Sequence, residues 1–270
     1  MKPGIGSYTY PWAVGLSGHR PKSPLTPAGL LARAVSLHIK VVQICDNMPL
    51  DRLSPAELDA LKSKADRVGI ELEVGTRGIG AANLARYLGI ARRLGSKILR
   101  VVVDAGADRP TPDAVVHRLR KPVRDCRSAG ITLAIENHDR FPTAVFAWIV
   151  RRLGRGAGIC LDTANSLGSL EGTETVLETL GPFTVNLHVK DIAVRRVPTM
   201  LGFMVTGAPA GKGDLDIPAL IGRLKRMGRN PNAILEQWVP LQRNPQATIR
   251  LEDNWARQGA DYLHGLKACS

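Results

Sequence analysis

Val185-Asn186-Leu187-His188-Val189-Lys190-Asp191 reads as a short buried strand that runs out into a polar mouth. Side chains alternate along a strand, so His188 and Lys190 share one side, and Leu187 and Val189 share the other. Three further apolar runs end in the same way: 131–135 leads into Glu136, 158–161 into Asp162, and 233–235 into Glu236. A single His or Asp at a strand end serves as a cap or a surface group as readily as a ligand. Four ends that offer Glu, Asp, His and Glu together are a set of metal-ligand residue types.

Outward from this stretch, the chain repeats one unit. Strand patterns at 4–9, 41–45, 70–74, 98–103, 131–135, 158–161, 184–189 and 233–238 alternate with helical patterns at 25–37, 55–68, 83–94, 112–129, 143–153, 173–180, 217–227 and 252–266. Thr26-Pro27 and Ser54-Pro55 are start signals, and Gly69, Gly95 and Gly130 are stops. A long Gly- and Pro-rich insertion follows the seventh strand. Strands separated by helices pair in parallel through crossovers, and eight such units close a single-domain (β/α)8 TIM barrel over residues 1–270. In that architecture the C-terminal ends of the strands form a common mouth where catalytic groups gather. Glu136, Asp162, His188 and Glu236 then stand side by side on strands five to eight. An open doubly wound sheet would not bring four consecutive strand ends round one point so readily.

Composition sets the outer limits. A chain of 270 residues, 44% hydrophobic, can bury a full core. Cys45, Cys126, Cys160 and Cys269 have no CxxC spacing and are too few for a disulfide scaffold, which points to a reducing, cytoplasmic setting. No apolar run is long enough to span a bilayer. The net charge of +13 comes from basic residues scattered along helical faces, and aromatic content is only 4%, so an Arg-rich solvated surface is expected in place of a nucleic-acid site.

Three carboxylates and one imidazole make an oxygen-rich site suited to Mn²⁺, Mg²⁺ or Co²⁺, with Zn²⁺ admissible. The bland reading is that the carboxylates pair with Lys190 and nearby arginines. Three like charges that converge without a cation repel one another, and this favours the metal. Gly211-Lys212-Gly213 resembles part of a phosphate loop, but Thr206 stands where that pattern needs Gly and no Ser or Thr follows the lysine. Ser7, Ser166 and Cys160 have no evident base partner.

Ile135-Glu136-Asn137-His138, Leu161-Asp162-Thr163-Ala164-Asn165, Leu187-His188-Val189-Lys190-Asp191, Gly211-Lys212-Gly213-Asp214-Leu215-Asp216 and Leu235-Glu236 resemble, in order, the motif series of the xylose isomerase-like TIM barrels. That superfamily includes sugar phosphate isomerases and epimerases, ketose 3-epimerases, inosose dehydratases and endonuclease IV. The resemblance implies a divalent metal held by Glu136, Asp162, His188 and Glu236, with Glu136 and Glu236 also serving as acid and base. It implies a small carbohydrate substrate turned over through an enediolate by an isomerase or epimerase, and it implies substrate contacts from His138, Arg140 and Lys190. Asn165 stands where ketose 3-epimerases tend to carry a substrate-binding His. The histidines of a trinuclear zinc endonuclease are missing: Asp46, Asn47, Arg77 and Asn165 occupy the corresponding places.

The segments Gly6-Ser7-Tyr8-Thr9-Tyr10-Pro11-Trp12, Gln43-Ile44-Cys45-Asp46-Asn47-Met48-Pro49-Leu50 and Glu136-Asn137-His138-Asp139-Arg140-Phe141 are also similar to the 3-oxoisoapionate decarboxylase branch. The same ion would serve either reaction, because an enediolate forms by loss of a proton or of carbon dioxide. Decarboxylation needs a cationic grip on the substrate carboxylate, for which Lys190, Arg140 and Arg77 are candidates, and an acid for reprotonation. Trp12, Phe141 and Trp238, near strand ends, are candidate pocket walls, with core packing as the equal alternative. A non-catalytic sugar-binding barrel fits less well, since a binder has little use for two acid/base carboxylates. A homo-oligomer through the last helix is compatible with the sequence.

Overall fold

The computed structural model describes residues 1–268; Cys269 lies outside them. Strands β1 (Pro3–Gly6), β2 (Val41–Ile44), β3 (Glu71–Arg77), β4 (Ile98–Val102), β5 (Thr132–Glu136), β6 (Ala157–Asp162) and β7 (Thr184–Val189) come first in the chain. An antiparallel pair, β8 (Asp191–Arg196) and β9 (Phe203–Ala208), precedes the last strand, β10 (Asn232–Leu235). β1 to β7 and β10 pair in parallel and close into a barrel in the order β1-β10-β7-β6-β5-β4-β3-β2. The expected (β/α)8 barrel is thus the fold.

Helices α1 (Pro11–Val14), α2 (Pro27–Ser36), α3 (Pro55–Arg67), α4 (Ala81–Arg93), α5 (Pro112–Ser128), α6 (Thr143–Leu153), α7 (Thr173–Leu180), α8 (Ile217–Arg226) and α9 (Pro245–Ala268) connect and enclose the strands. Local chemistry fixes their ends. The Thr26 hydroxyl accepts from Gly29 N–H at the start of α2. Ser54 and Glu57 satisfy each other's backbone N–H groups in a capping box at the start of α3. Gly69, with φ of +65°, supplies the left-handed turn that ends α3.

The main core lies between the barrel and its helices. Outward-facing Val42, Leu72, Leu99, Leu133, Leu161 and Leu187 bury completely or nearly so against Leu30, Leu61, Leu84, Leu119, Phe146 and Leu177. The inward-facing positions have a different composition. Strand register sets Gln43 of β2 beside Glu73 of β3, and Asn186 of β7 beside Asn232 of β10 and Cys160 of β6. These side chains hydrogen-bond to one another across the lumen.

Several features differ from the sequence reading: β1 stops at Gly6 and gives way to a tight turn over Ser7–Thr9, and α9 begins at Pro245, ahead of the expected 252. The insertion after the seventh strand is ordered: β8 and β9 form a hairpin that rises from the mouth, and Val205, Thr206 and Gly207 contribute to the wall of the cavity there. The last barrel strand stops at Leu235, so Glu236 sits just past its end and Trp238 lies 42% exposed at the rim. The Gly211-Lys212-Gly213 loop folds around a side chain of its own chain. Gly211, Gly213 and Leu215 donate backbone N–H groups to the Asp191 carboxylate.

Many of the basic residues are paired at the surface, among them Arg33 with Asp253, Arg93 with Asp59, Arg118 with Asp108 and Arg223 with Glu174. Among the described residues, no helix is long and apolar enough to cross a membrane.

Candidate metal centre

β5, β6, β7 and β10 lie side by side in the barrel, and their C-terminal ends bring Glu136, Asp162, His188 and Glu236 together, each at most 2% exposed. His188 Nδ1 lies 3.2 Å from Glu236 Oε1, 3.5 Å from Glu136 Oε2 and 3.8 Å from Asp162 Oδ2. The other ring nitrogen, Nε2, lies 2.7 Å from Gln43 Oε1. That amide donates through Nε2 to Glu73 and Asn186, so its oxygen faces the imidazole, an arrangement that fits a neutral ring with its proton on Nε2. The Nδ1 lone pair therefore points at three carboxylates.

This arrangement can be tested for its fit to a cation. His188 Nδ1 and Glu236 Oε1 are both buried and have no hydrogen-bond partner among the described residues. An orphaned lone pair facing orphaned carboxylate oxygen is unfavourable unless positive charge lies between them. Metal bonds of roughly 2.0–2.2 Å put neighbouring ligand atoms roughly 3–3.6 Å apart, close to the separations found. Ligand atoms of Asp162, His188 and Glu236 all lie within 4.8 Å of one another, and Glu136 groups separately with His188 and Cys160; the first set could hold a hard or borderline divalent ion, with Glu136 the further carboxylate beside His188. Cys160 lies within ligand range of Glu136 and His188 as well, but burial raises its thiol pKa well above the ordinary value and its Sγ donates to Asn186.

Internal cations offset part of the negative charge. Lys190 Nζ lies 2.5 Å from Asp162 Oδ2, 2.9 Å from Glu236 Oε2 and 3.3 Å from Asn165 Oδ1. Burial disfavours its charge, but Asp162, Glu236 and Glu136 outweigh that and raise its pKa. Arg100, 2% exposed, donates Nε–H to Glu136 Oε2 and Nη1–H to Asp46 Oδ1 at 2.9 Å. Burial lifts the Glu136 carboxyl, but the Arg100 guanidinium beside it, and after that Lys190, hold it below the ordinary carboxylate value. Gly75 makes room for this arginine: a Cβ there would lie 2.6 Å from Cys45 Sγ and 3.3 Å from Arg100 Cδ. Asp46 also accepts from Arg77 Nε at 3.1 Å and from the Tyr8 hydroxyl at 3.0 Å. Both the ion-pair reading and the ligand reading of the carboxylates thus find support: His188 Nδ1 and Glu236 Oε1 have no hydrogen-bond partner among the described residues, and with a protonated ring they would form an ion pair with each other.

A cavity of about 690 Å³ opens above this floor. Of the residues singled out as substrate contacts, Trp12, Arg77, His138, Asn165 and Lys190 line it. Trp12 is pinned by its indole N–H on the Val239 carbonyl, Asn165 donates to Glu136 Oε1, and the ring of His138 pairs with Asp139. Arg140 is a correction. Its guanidinium is committed to Asp104 and to the carbonyls of Arg109 and Pro110, it stacks on Phe141, and it does not line the cavity.

Tyr8, Asp46, Arg100, Gln43 and Glu73 were not singled out from the sequence as site residues. A usable signal was present for three of them. Arg100 in Ile98-Leu99-Arg100-Val101-Val102, Gln43 in Val41-Val42-Gln43-Ile44 and Glu73 in Glu71-Leu72-Glu73-Val74 are polar residues inside strands that are otherwise apolar on that stretch. Such residues point into the lumen and need partners there.

Hard ligand residues on consecutive strand ends at the C-terminal mouth of a closed (β/α)8 barrel define a barrel of the enzyme type. The chain belongs to the xylose isomerase-like TIM barrel family, which it matches over residues 31–264. It is 35% identical over 265 residues to the 3-oxo-isoapionate decarboxylase of Pectobacterium atrosepticum, covering 98% of this chain and 95% of that protein. Its fold is similar to D-psicose 3-epimerase from Clostridium cellulolyticum H10 solved with D-tagatose (TM-score 0.74, 15% identity, 98% of this chain and 99% of that one). It is also similar to a xylose isomerase-like TIM barrel protein from Mycobacterium smegmatis in complex with magnesium (TM-score 0.68, 14% identity, 96% and 97%).

Proposed function

We propose that the chain is a divalent-metal-dependent decarboxylase of a small 3-oxo sugar acid, acting through an enediolate. The observation that carries this reading is the unequal state of the two glutamates. Both oxygens of Glu136 are engaged, Oε2 by Arg100 and Oε1 by Asn165, whereas Glu236 keeps Oε1 without a hydrogen-bond partner. Epimerisation by paired carboxylates needs one to remove a proton from carbon while the other returns it, and a glutamate held on both oxygens is poorly suited to the first task. Decarboxylation needs only one proton delivered and a cationic surface for the substrate carboxylate. The identity to a decarboxylase over nearly the whole chain supports the same choice.

A bound divalent metal would supply Lewis acidity at the ketone oxygen, held by Glu136, Asp162, His188 and Glu236. Arg77, a third exposed at the cavity wall, and Lys190 at its floor are the groups we assign to the substrate carboxylate. The bond between the carboxylate carbon and the carbon next to the ketone breaks, carbon dioxide leaves, and the electron pair remains as the enediolate. We assign Glu236 to pass one solvent proton to that carbon, which restores the ketone. Trp12 and Trp238 line the cavity, and we assign to them the shielding of the substrate from water.

The second reading, an isomerase or epimerase of a keto sugar, is favoured by the free Oε1 of Glu236, which could act as a single base. Proton NMR in deuterium oxide on 3-oxo sugar acids, ketoses and inososes separates the two. Loss of one carbon as carbon dioxide with one deuterium gained supports decarboxylation. Deuterium uptake with every carbon retained would replace it with enolisation.

A further inference from the structure

We propose that Glu73, buried in the barrel lumen below the candidate metal centre, is a positioning residue that acts through Gln43 to keep the His188 proton on Nε2, so that Nδ1 is free for a metal. The inference rests on the metal reading of the site and is independent of which reaction follows.

Glu73 is 4% exposed and has no cation beside it among the described ion pairs. Its Oε2 accepts from Gln43 Nε2 at 2.9 Å and Asn186 Nδ2 at 2.8 Å, and its Oε1 accepts from Asn232 Nδ2 at 2.8 Å. Gln43 is fully used. Its amide hydrogens go to Glu73 and to Asn186 Oδ1 at 2.9 Å, and its oxygen accepts from His188 Nε2 and from Cys45 Sγ at 3.3 Å. Burial raises the Glu73 pKa, and the three amide N–H groups that converge on its oxygens act against this and favour the ionised form; a carboxylate offers only acceptors, so Gln43 cannot then turn its oxygen toward Glu73 without losing that bond. The acid thereby determines which end of the amide faces the imidazole.

The alternative state is well defined. With the Gln43 amide reversed, its N–H would face His188 Nε2, which must then accept, and the ring proton moves to Nδ1. That proton would lie between Nδ1 and Glu236 Oε1, 3.2 Å apart, and would fill the place of the cation. Glu73 therefore selects between a proton and a metal at the same point. Outer partners of metal-bound histidines commonly contribute about 10–100-fold to metal affinity.

The test uses the full chain, stripped of metal with a chelator and labelled with ¹⁵N-histidine. The His188 tautomer is read from long-range ¹H–¹⁵N spectra above neutral pH, and Mn²⁺ affinity from calorimetric titration. Wild type is expected to show Nε2–H. Glu73→Gln and, as a second cut in the relay, Gln43→Met are expected to move the proton to Nδ1 and weaken Mn²⁺ binding by about 10–100-fold. Wild type with the proton on Nδ1, or a folded variant that keeps both Nε2–H and wild-type Mn²⁺ affinity, overturns the proposal. The wild-type spectrum decides the question even if both variants fail to fold. If wild type shows Nε2–H but binds no Mn²⁺, the metal reading under the proposed function falls and the relay with it.

Discussion

Arg100 on β4 donates its Nε–H to Glu136 Oε2 on the neighbouring β5, with both side chains at most 2% exposed. The same guanidinium reaches Asp46 through Nη1, so one buried cation joins a candidate metal ligand to the acid that anchors Tyr8 and Arg77. Removing one partner of a buried pair leaves an uncompensated charge, which is far more costly than the net contribution of the pair.

Arg100→Met is expected to lower unfolding stability by about 3–5 kcal/mol, read as a shift in urea midpoint. Arg100→Lys should recover little, because a single ammonium does not reproduce the fork that spans Glu136 and Asp46. A midpoint for Arg100→Met equal to wild type would remove Arg100 from its role.

Glu236→Gln should leave the chain folded, since Glu236 lies beyond the last barrel strand, and abolish turnover while weakening Mn²⁺ binding by more than about 10-fold, the lower range for outer partners of a metal. Circular dichroism and calorimetry check the two halves. Undiminished turnover sinks both the ligand and the acid assignment.

Metal binding should stabilise the fold by mass action. At a free Mn²⁺ concentration of about 100 times Kd the gain is about 2.7 kcal/mol, visible as a higher Tm that a chelator reverses. Asp162→Asn, which removes one ligand charge, should reduce the metal-dependent increment. A Tm indifferent to Mn²⁺ and chelator in wild type would contradict the metal reading.

Glu252 on α9 is fully buried and accepts the Trp12 and Ala13 N–H groups. Burial outweighs these donors and raises its pKa from 4.5 to about 8. Between those values the native state binds more protons than the unfolded one, so stability is fullest below pH 4.5 and falls as pH rises through 8. Glu252→Gln should flatten this part of the pH–stability curve, measured by urea unfolding at a series of pH values. An equal slope in the variant would assign the effect to other groups.

Gly213 allows the Asp191 loop to close: a Cβ there would lie 2.1 Å from Asp191 Oδ1 and 2.4 Å from the Ile192 carbonyl. Gly213→Ala should therefore displace the base of the β8–β9 hairpin, which supplies part of the cavity wall, and raise KM more than it lowers kcat. Unchanged KM would show that the wall is indifferent to this loop.

The barrel was legible because its outer strand faces and helix stripes are apolar at regular spacing, and because the four ligand types stand at equivalent ends of β5, β6, β7 and β10. Less of what lies between strands distant in the chain is legible in a single sequence. The contact of Gln43 with His188 joins β2 to β7, and neither residue marks the other in sequence. Arg140 was misread for the converse reason: its motif neighbours Glu136 and His138 reach the site, but its own long side chain turns to Asp104 and two carbonyls. The hairpin was hidden because Gly- and Pro-rich segments read as loops, whereas here ladder pairing from Asp191–Ala208 to Arg196–Phe203 orders them.

The lumen of Gln43, Glu73, Asn186 and Asn232 also has a consequence for how far this barrel can be hardened. Aliphatic side chains usually fill such an interior, and replacing the whole polar layer with them at matched volume would be neutral or favourable for folding. It would also leave His188 Nε2 with no acceptor. Thermostabilising the chain should therefore succeed at the strand–helix layer and at helix caps, and fail as an enzyme when it reaches the lumen, where stability and activity are in direct competition.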